Sequence, residues 1–128
     1  MRFSFWPNPR STYDDTMLLA QHAERLGYDG IWLADHFLPE EDELIPVHES
    51  WMTMAALSRD VPRLRIGTLV SGNTYRHPAL LANMVATLDH LNDGRTVLGL
   101  GSGWQQNEHE AYGFNFGTAA SRLRMLEE

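Results

Sequence analysis

Cysteine is absent from the 128-residue chain, and so is lysine: all ten basic residues are arginine. The first absence excludes a disulfide framework, a thiolate metal site and a cysteine nucleophile. The second excludes Schiff-base chemistry and the lysine of a phosphate-binding P-loop. No apolar run approaches the roughly 18 residues that a membrane-spanning helix needs. Residues 1–10 carry neither the charged nor the apolar segment of a secretory signal. Positive charge is also scarce. With 17 acidic against 10 basic residues the formal net charge is −7, which argues against a nucleic-acid surface and against docking on acidic membranes. What remains is ordinary for a globular protein, at 43% hydrophobic and 21% charged residues. The expectation is a cytoplasmic chain of single-domain size, near the usual roughly 100–150 residues.

Apolar periodicity orders the chain. Arg2 to Trp6 is strand-like and is closed by the breaker cluster Pro7-Asn8-Pro9. Ser11 or Thr12 then offers an N-cap, Leu19, Ala20, Ala23 and Leu26 recur at helical spacing, and Gly27 suits the stop. Gly30 to Ala34 reads as a buried strand, His48 to Asp60 as a second helix, and Leu64 to Ser71 as a third strand. Pro78 opens a third helix that Asp93-Gly94 closes, Arg95 to Gly101 is a fourth strand, a polar loop follows, and Ser121 to Glu128 begins a fourth helix. This βαβαβαβ(α) order, with short helix-to-strand links, means a parallel α/β sheet built from right-handed crossovers. An open doubly wound sheet and a (β/α)8 barrel both satisfy it.

In either architecture ligands bind at the C-terminal strand ends. Those ends carry Trp6 and Asn8, then Asp35, His36 and Phe37, then Ser71, Gly72, Asn73 and Thr74, and finally Gly101 to Asn107. Asp35-His36 is the best acid/base candidate, because histidine titrates near neutrality. Adjacent residues of an extended strand point to opposite sides, so a direct dyad is not assured. Gly99-Leu100-Gly101-Ser102-Gly103 fails the dinucleotide fingerprint, which needs glycine where Trp104 stands and a place after the first strand. Its glycines instead suit close approach to a ligand or a neighbouring strand. The six histidines show neither HExxH nor HxH spacing, so no metal site is expected. His22 and His90 read as surface or interface residues and His77 as support for the helix entry at Pro78. The run Glu40, Glu41, Asp42, Glu43 reads as a solvated loop.

Three blocks, in order, carry more specific information: residues 31–37 (IWLADHF), 67–82 (GTLVSGNTYRHPALLA) and 94–104 (GRTVLGLGSGW). Together they resemble the luciferase-like monooxygenase family, and most closely its branch of coenzyme F420 (deazaflavin)-dependent oxidoreductases. The resemblance implies a (β/α)8 barrel with the deazaflavin, or alternatively FMN, at its C-terminal face. It implies catalytic roles for His36 and Asp35, and cofactor contacts at Val70, Ser71, Gly72, Asn73, Thr74, Gly103, Trp104 and Asn107. It also implies that the third strand ends in a bulge at or beside Ser71, with a non-proline cis peptide at Val70–Ser71 or Ser71–Gly72, backing the cofactor ring. Some sugar-phosphate dehydrogenases of that branch carry a catalytic glutamate where this chain has Trp104. A complete barrel takes roughly 250 residues, so residues 1–128 are expected to be its N-terminal half, four βα units ending inside the fourth helix. The expected partners are a small-molecule substrate and either a second copy or a complementary half-barrel. The isolated half is expected to show little turnover.

Overall fold

The computed structural model describes residues 1–40 and 45–128. Ser4–Phe5 forms β1, Tyr13–Arg25 α1 and Gly30–Leu33 β2. Thr12, rather than Ser11, caps α1, its hydroxyl accepting from Asp15 N at 3.1 Å. Gly27 ends the helix at φ +79°, a conformation open to glycine without strain. Ser50–Asp60 is α2, and its cap is Glu49, whose carboxylate accepts from Met52 N at 2.7 Å. Arg65–Thr68 is β3, Ser71–Gly72 β4 and Pro78–Leu91 α3. His77 supports the entry to α3 as anticipated, Nδ1 accepting from Ala79 N at 3.2 Å. Thr96–Val97 is β5 and Leu100–Gly101 is β6. The polar segment after β6 is not all loop: Gln106–Tyr112 forms α4, and Ala119–Glu127 forms α5 behind a capping box at Thr118 and Ser121. Glu40 is exposed, while Glu41, Asp42 and Glu43 lie outside the described residues.

The main sheet runs β1-β2-β3-β5, every pair parallel. Each strand is added on the same side of the one before it, whereas a doubly wound sheet reverses its order at a switch point. The helices pack in sequence, α1 on α2 and α2 on α3. The winding is that of a barrel wall. Ile31, Leu33 and Ile66 press against Ala20, Ala23, Met54, Leu57, Leu81 and Leu88 from these helices to form the core. On the other face the Trp32 ring lies over Gly30 and Gly67, where a Cβ would come within 3.1 and 3.0 Å of it. The Arg95 guanidinium donates to the carbonyls of Ser58, Val61 and Leu64. It thereby satisfies acceptors at the end of α2 and in the turn that leads to β3.

The third and fourth strands do not run straight. Gly67 faces Val97 and Ser71 faces Leu100, so four steps on one strand match three on the other. The extra residue is a β-bulge, and the cis peptide lies within it, at Leu69–Val70. This corrects the expected Val70–Ser71 or Ser71–Gly72 position. Ser71 and Gly72 are ladder partners of Leu100 and Gly101, so the irregular geometry falls on the unpaired residues before them. Among the described residues no helix is long and apolar enough to cross a membrane.

Candidate active site

At the C-terminal ends of the strands lies a cleft of about 370 Å³, lined by Trp6, His36, Val70, Gly72, Gly103 and Trp104 among others. A second hollow of about 210 Å³ adjoins it on the far side of His36 and Trp104, toward Arg10 and Glu40. One wall is the bulge, where Leu69 and Val70 are exposed, and two exposed indoles, Trp6 and Trp104, stand at the mouth. Gly72, Gly101, Ser102 and Gly103 keep the remaining wall close to bare backbone.

His36 leaves β2 on the cleft side. Its ring meets Trp104 edge-on with centroids 5.5 Å apart, and its Nδ1 lies 3.1 Å from Glu108 Oε2. Glu108 comes from α4 and is fully buried. Its Oε1 accepts from the backbone N–H groups of Phe37 at 2.6 Å and Leu38 at 2.9 Å, and its Oε2 also accepts from the Tyr75 hydroxyl. Burial pushes the Glu108 carboxyl up, but the donors from His36, Tyr75, Leu38 and Phe37 outweigh it and hold it below the usual carboxylate range. Burial, then the bond to Glu108, raises the Tyr75 phenol above its ordinary value. Glu108 is therefore a carboxylate and Tyr75 a neutral donor at neutral pH.

Asp35 has different partners. Its buried carboxylate receives both arms of the Arg76 guanidinium at 2.6 and 2.9 Å, the Ser50 hydroxyl at 2.7 Å and Gly72 N at 3.3 Å. Arg76 also pairs with Glu49. Burial lowers the Arg76 pKa, but the bonds to Asp35 and the charge of Glu49 outweigh it and leave it raised. Asp35 and His36 thus belong to two separate hydrogen-bond networks, although both border the cleft.

The ten residues expected at the site divide into those that border the cleft and those that do not. Asp35, His36, Val70, Gly72, Gly103 and Trp104 border the cleft. Ser71 is buried behind it, its hydroxyl donating to Thr68 Oγ1 at 3.1 Å and accepting from Trp51 Nε1 at 3.1 Å. The Thr74 hydroxyl donates to His109 Nε2 at 2.8 Å, because His109 Nδ1 is committed to the Gln105 carbonyl at 2.7 Å. Asn73 donates to the Arg122 carbonyl at 3.1 Å and Asn107 to the Pro39 carbonyl at 3.0 Å, both outside the cleft. Among the described residues no group of three or more His, Asp or Glu side chains could hold a metal.

Glu108, Tyr75, Arg76 and Glu49 were missed by sequence reasoning. Tyr75 and Arg76 lie inside the 67–82 block, but nothing there marks them as buried partners of Glu108 and Asp35. For α4 the available signal was polar: Gln105, Glu108 and His109 recur at helical spacing and are all buried. A search for apolar stripes passes over such a helix.

A family model described as luciferase-like monooxygenase matches residues 1–128. The F420-dependent glucose-6-phosphate dehydrogenase of Amycolatopsis mediterranei is 37% identical over 117 residues, covering 89% of this chain and 34% of that protein. Limonene 1,2-monooxygenase of Rhodococcus erythropolis is 33% identical over 109 residues, covering 85% of this chain and 27% of that protein. Among solved structures, an F420-dependent secondary alcohol dehydrogenase in complex with an F420-acetone adduct superposes with a TM-score of 0.87. It is 25% identical, and the match covers 97% of this chain and 38% of that one. The chain spans about a third of the length of the relatives it matches. Matched throughout its 128 residues and wound as a barrel wall, the chain belongs to the luciferase-like monooxygenase family.

Proposed function

We propose that residues 1–128 are the N-terminal half of a (β/α)8 oxidoreductase that transfers hydride between coenzyme F420 and an organic substrate. The observation that carries this reading is the cleft at the strand ends, where an apolar bulge faces a histidine across a space of about 370 Å³. Small-molecule sites occupy roughly 300–1,000 Å³ and are mostly apolar with a few placed polar groups. The residues present fit a planar ring. Val70 offers an apolar surface, while Gly72, Gly101 and Gly103 project no side chain into the space. When bound, the deazaflavin supplies the hydride acceptor and donor. Trp6 and Trp104 shield the cleft from water, and His36 stands ready to take or give the substrate's proton.

Leu98, Leu100 and the bulge leave apolar side chains exposed at the last strands of the sheet. An unpaired edge of this kind invites further strands. In this reading they come from a complementary half-barrel or a second copy, and the monomeric 128-residue chain turns over little. Measurable steady-state turnover by a verified monomer would overturn that part.

An amide-resonance titration tests the cofactor assignment on the chain as it stands. With oxidised F420, the largest shifts are expected at 70–72, 101–104 and 36. FMN shifting these residues while F420 leaves them unmoved would favour a flavin monooxygenase instead. Shifts from neither cofactor in a folded chain would remove the reading of the cleft as a redox site.

A further inference from the structure

We propose that Glu108 is a positioning residue that fixes the tautomer of His36, holding the proton on Nδ1 and presenting the bare Nε2 to the cleft. The proposal rests on the reading of that cleft as the reacting site, but its test does not require a bound cofactor. Four donors converge on Glu108, two on each oxygen. The Oε1 pair consists of consecutive backbone N–H groups, Phe37 and Leu38, in the segment that follows His36. The carboxylate is thereby locked to the backbone that carries the imidazole, and its second oxygen faces Nδ1. A carboxylate accepts and cannot donate. In the neutral ring, Nδ1 must then carry the hydrogen and Nε2 the lone pair. Trp104 holds the ring from the side.

Among the described residues, the other charged groups near the ring do not compete for Nδ1. Asp35, the preceding residue, is committed to Arg76, Ser50 and Gly72. Tyr75 reaches Glu108, not His36. Arg10 and Glu40 line the adjoining hollow with His36, and neither is hydrogen-bonded to Nδ1, which meets Glu108. Fixing a catalytic imidazole through its second nitrogen is a general device, and reversing the tautomer with an intact geometry can remove most of a reaction rate.

Glu108→Gln makes the idea sharp. The two backbone donors still require an acceptor, so the carbonyl of the introduced glutamine stays toward Phe37 and Leu38. Its amide nitrogen then faces His36 and can only donate. Nδ1 must become the acceptor, and the hydrogen moves to Nε2. Nitrogen-15 shifts of the His36 ring, read above its titration, report the tautomer directly. The unaltered chain is expected to be mostly Nδ1–H and Glu108→Gln mostly Nε2–H. Tyr75→Phe, which keeps the Glu108–His36 pair, is expected to remain Nδ1–H. A predominantly Nε2–H ring in the unaltered chain overturns the proposal, with no variant needed. A folded Glu108→Gln chain that keeps the Nδ1–H form overturns it as well. Failure of the cofactor titration with the expected tautomers would instead remove the redox reading and leave this one standing.

Discussion

Arg76→Met is expected to lower stability by about 3–5 kcal/mol, the range seen when one partner of a buried ion pair is removed. Arg76 is 9% exposed at its side chain and Asp35 not at all, and the two meet through both guanidinium arms. The same guanidinium pairs with Glu49, which caps α2, while Asp35 holds the Ser50 hydroxyl and the Gly72 amide. One side chain therefore joins the end of β2, the start of α2 and the segment leading to α3. Methionine fills comparable space but leaves the Asp35 charge buried and opposed only by two neutral donors. Urea unfolding at neutral pH measures the cost. Asp35→Asn with Arg76→Met is expected to recover part of it, because the double change removes the stranded charge along with its partner. Arg76→Lys keeps the charge without the two-armed fork and should fall between. An unchanged urea midpoint for Arg76→Met would show that the network contributes nothing.

The same network shows where sequence reading reached and where it stopped. Gly30 to Ala34 and Leu64 to Ser71 were legible as strands because each is a short apolar run between turn residues, and the cap at Thr12, one of two candidates, follows from local chemistry. The cap of the last helix at Thr118 was not singled out. The family was legible in three blocks, and His36 was legible as a strand-end histidine. Long-range polar pairing was not. Glu108 lies 72 residues from His36, and Arg76 lies 41 from Asp35. A buried ion pair has no sequence period, and each member taken alone looks like surface charge. That Asp35 and His36 need not pair with each other did follow from strand alternation, but the partner each would find did not. The resemblance implied a bulge beside Ser71, but its exact place was hidden for a related reason: it depends on the one-residue difference between two strands that meet only in the folded sheet.

Gly99→Ala is the second substitution expected to act strongly, and it acts on that bulge. A Cβ at Gly99 would stand 2.2 Å from the Thr68 carbonyl oxygen and 3.0 Å from Val70 Cγ1. Neither neighbour is the free end of a flexible chain. The Gly99 carbonyl meanwhile accepts from the Thr68 hydroxyl at 2.9 Å and Ser71 N at 2.8 Å, so moving the strand away would stretch both bonds. Overpacking of this kind typically costs about 1–3 kcal/mol, and a contact with backbone belongs at the upper end. Gly94→Ala supplies the comparison. Gly94 sits at φ +78° with nothing within 4 Å of a built Cβ, so alanine there meets conformational strain alone, about 1–2 kcal/mol. Thermal melts should place Gly99→Ala below Gly94→Ala. The ring-nitrogen signals of His36 should stay unchanged in Gly94→Ala, which is remote from the cleft. In Gly99→Ala the amide resonances of 69–72 and 100–103 are expected to move, because the strand that shapes the cleft wall has been displaced. If Gly99→Ala melts no lower than Gly94→Ala, the close approach of these two strands is not what sets the wall, and the one-residue offset must be held by the hydrogen bonds of Thr68 and Ser71 alone.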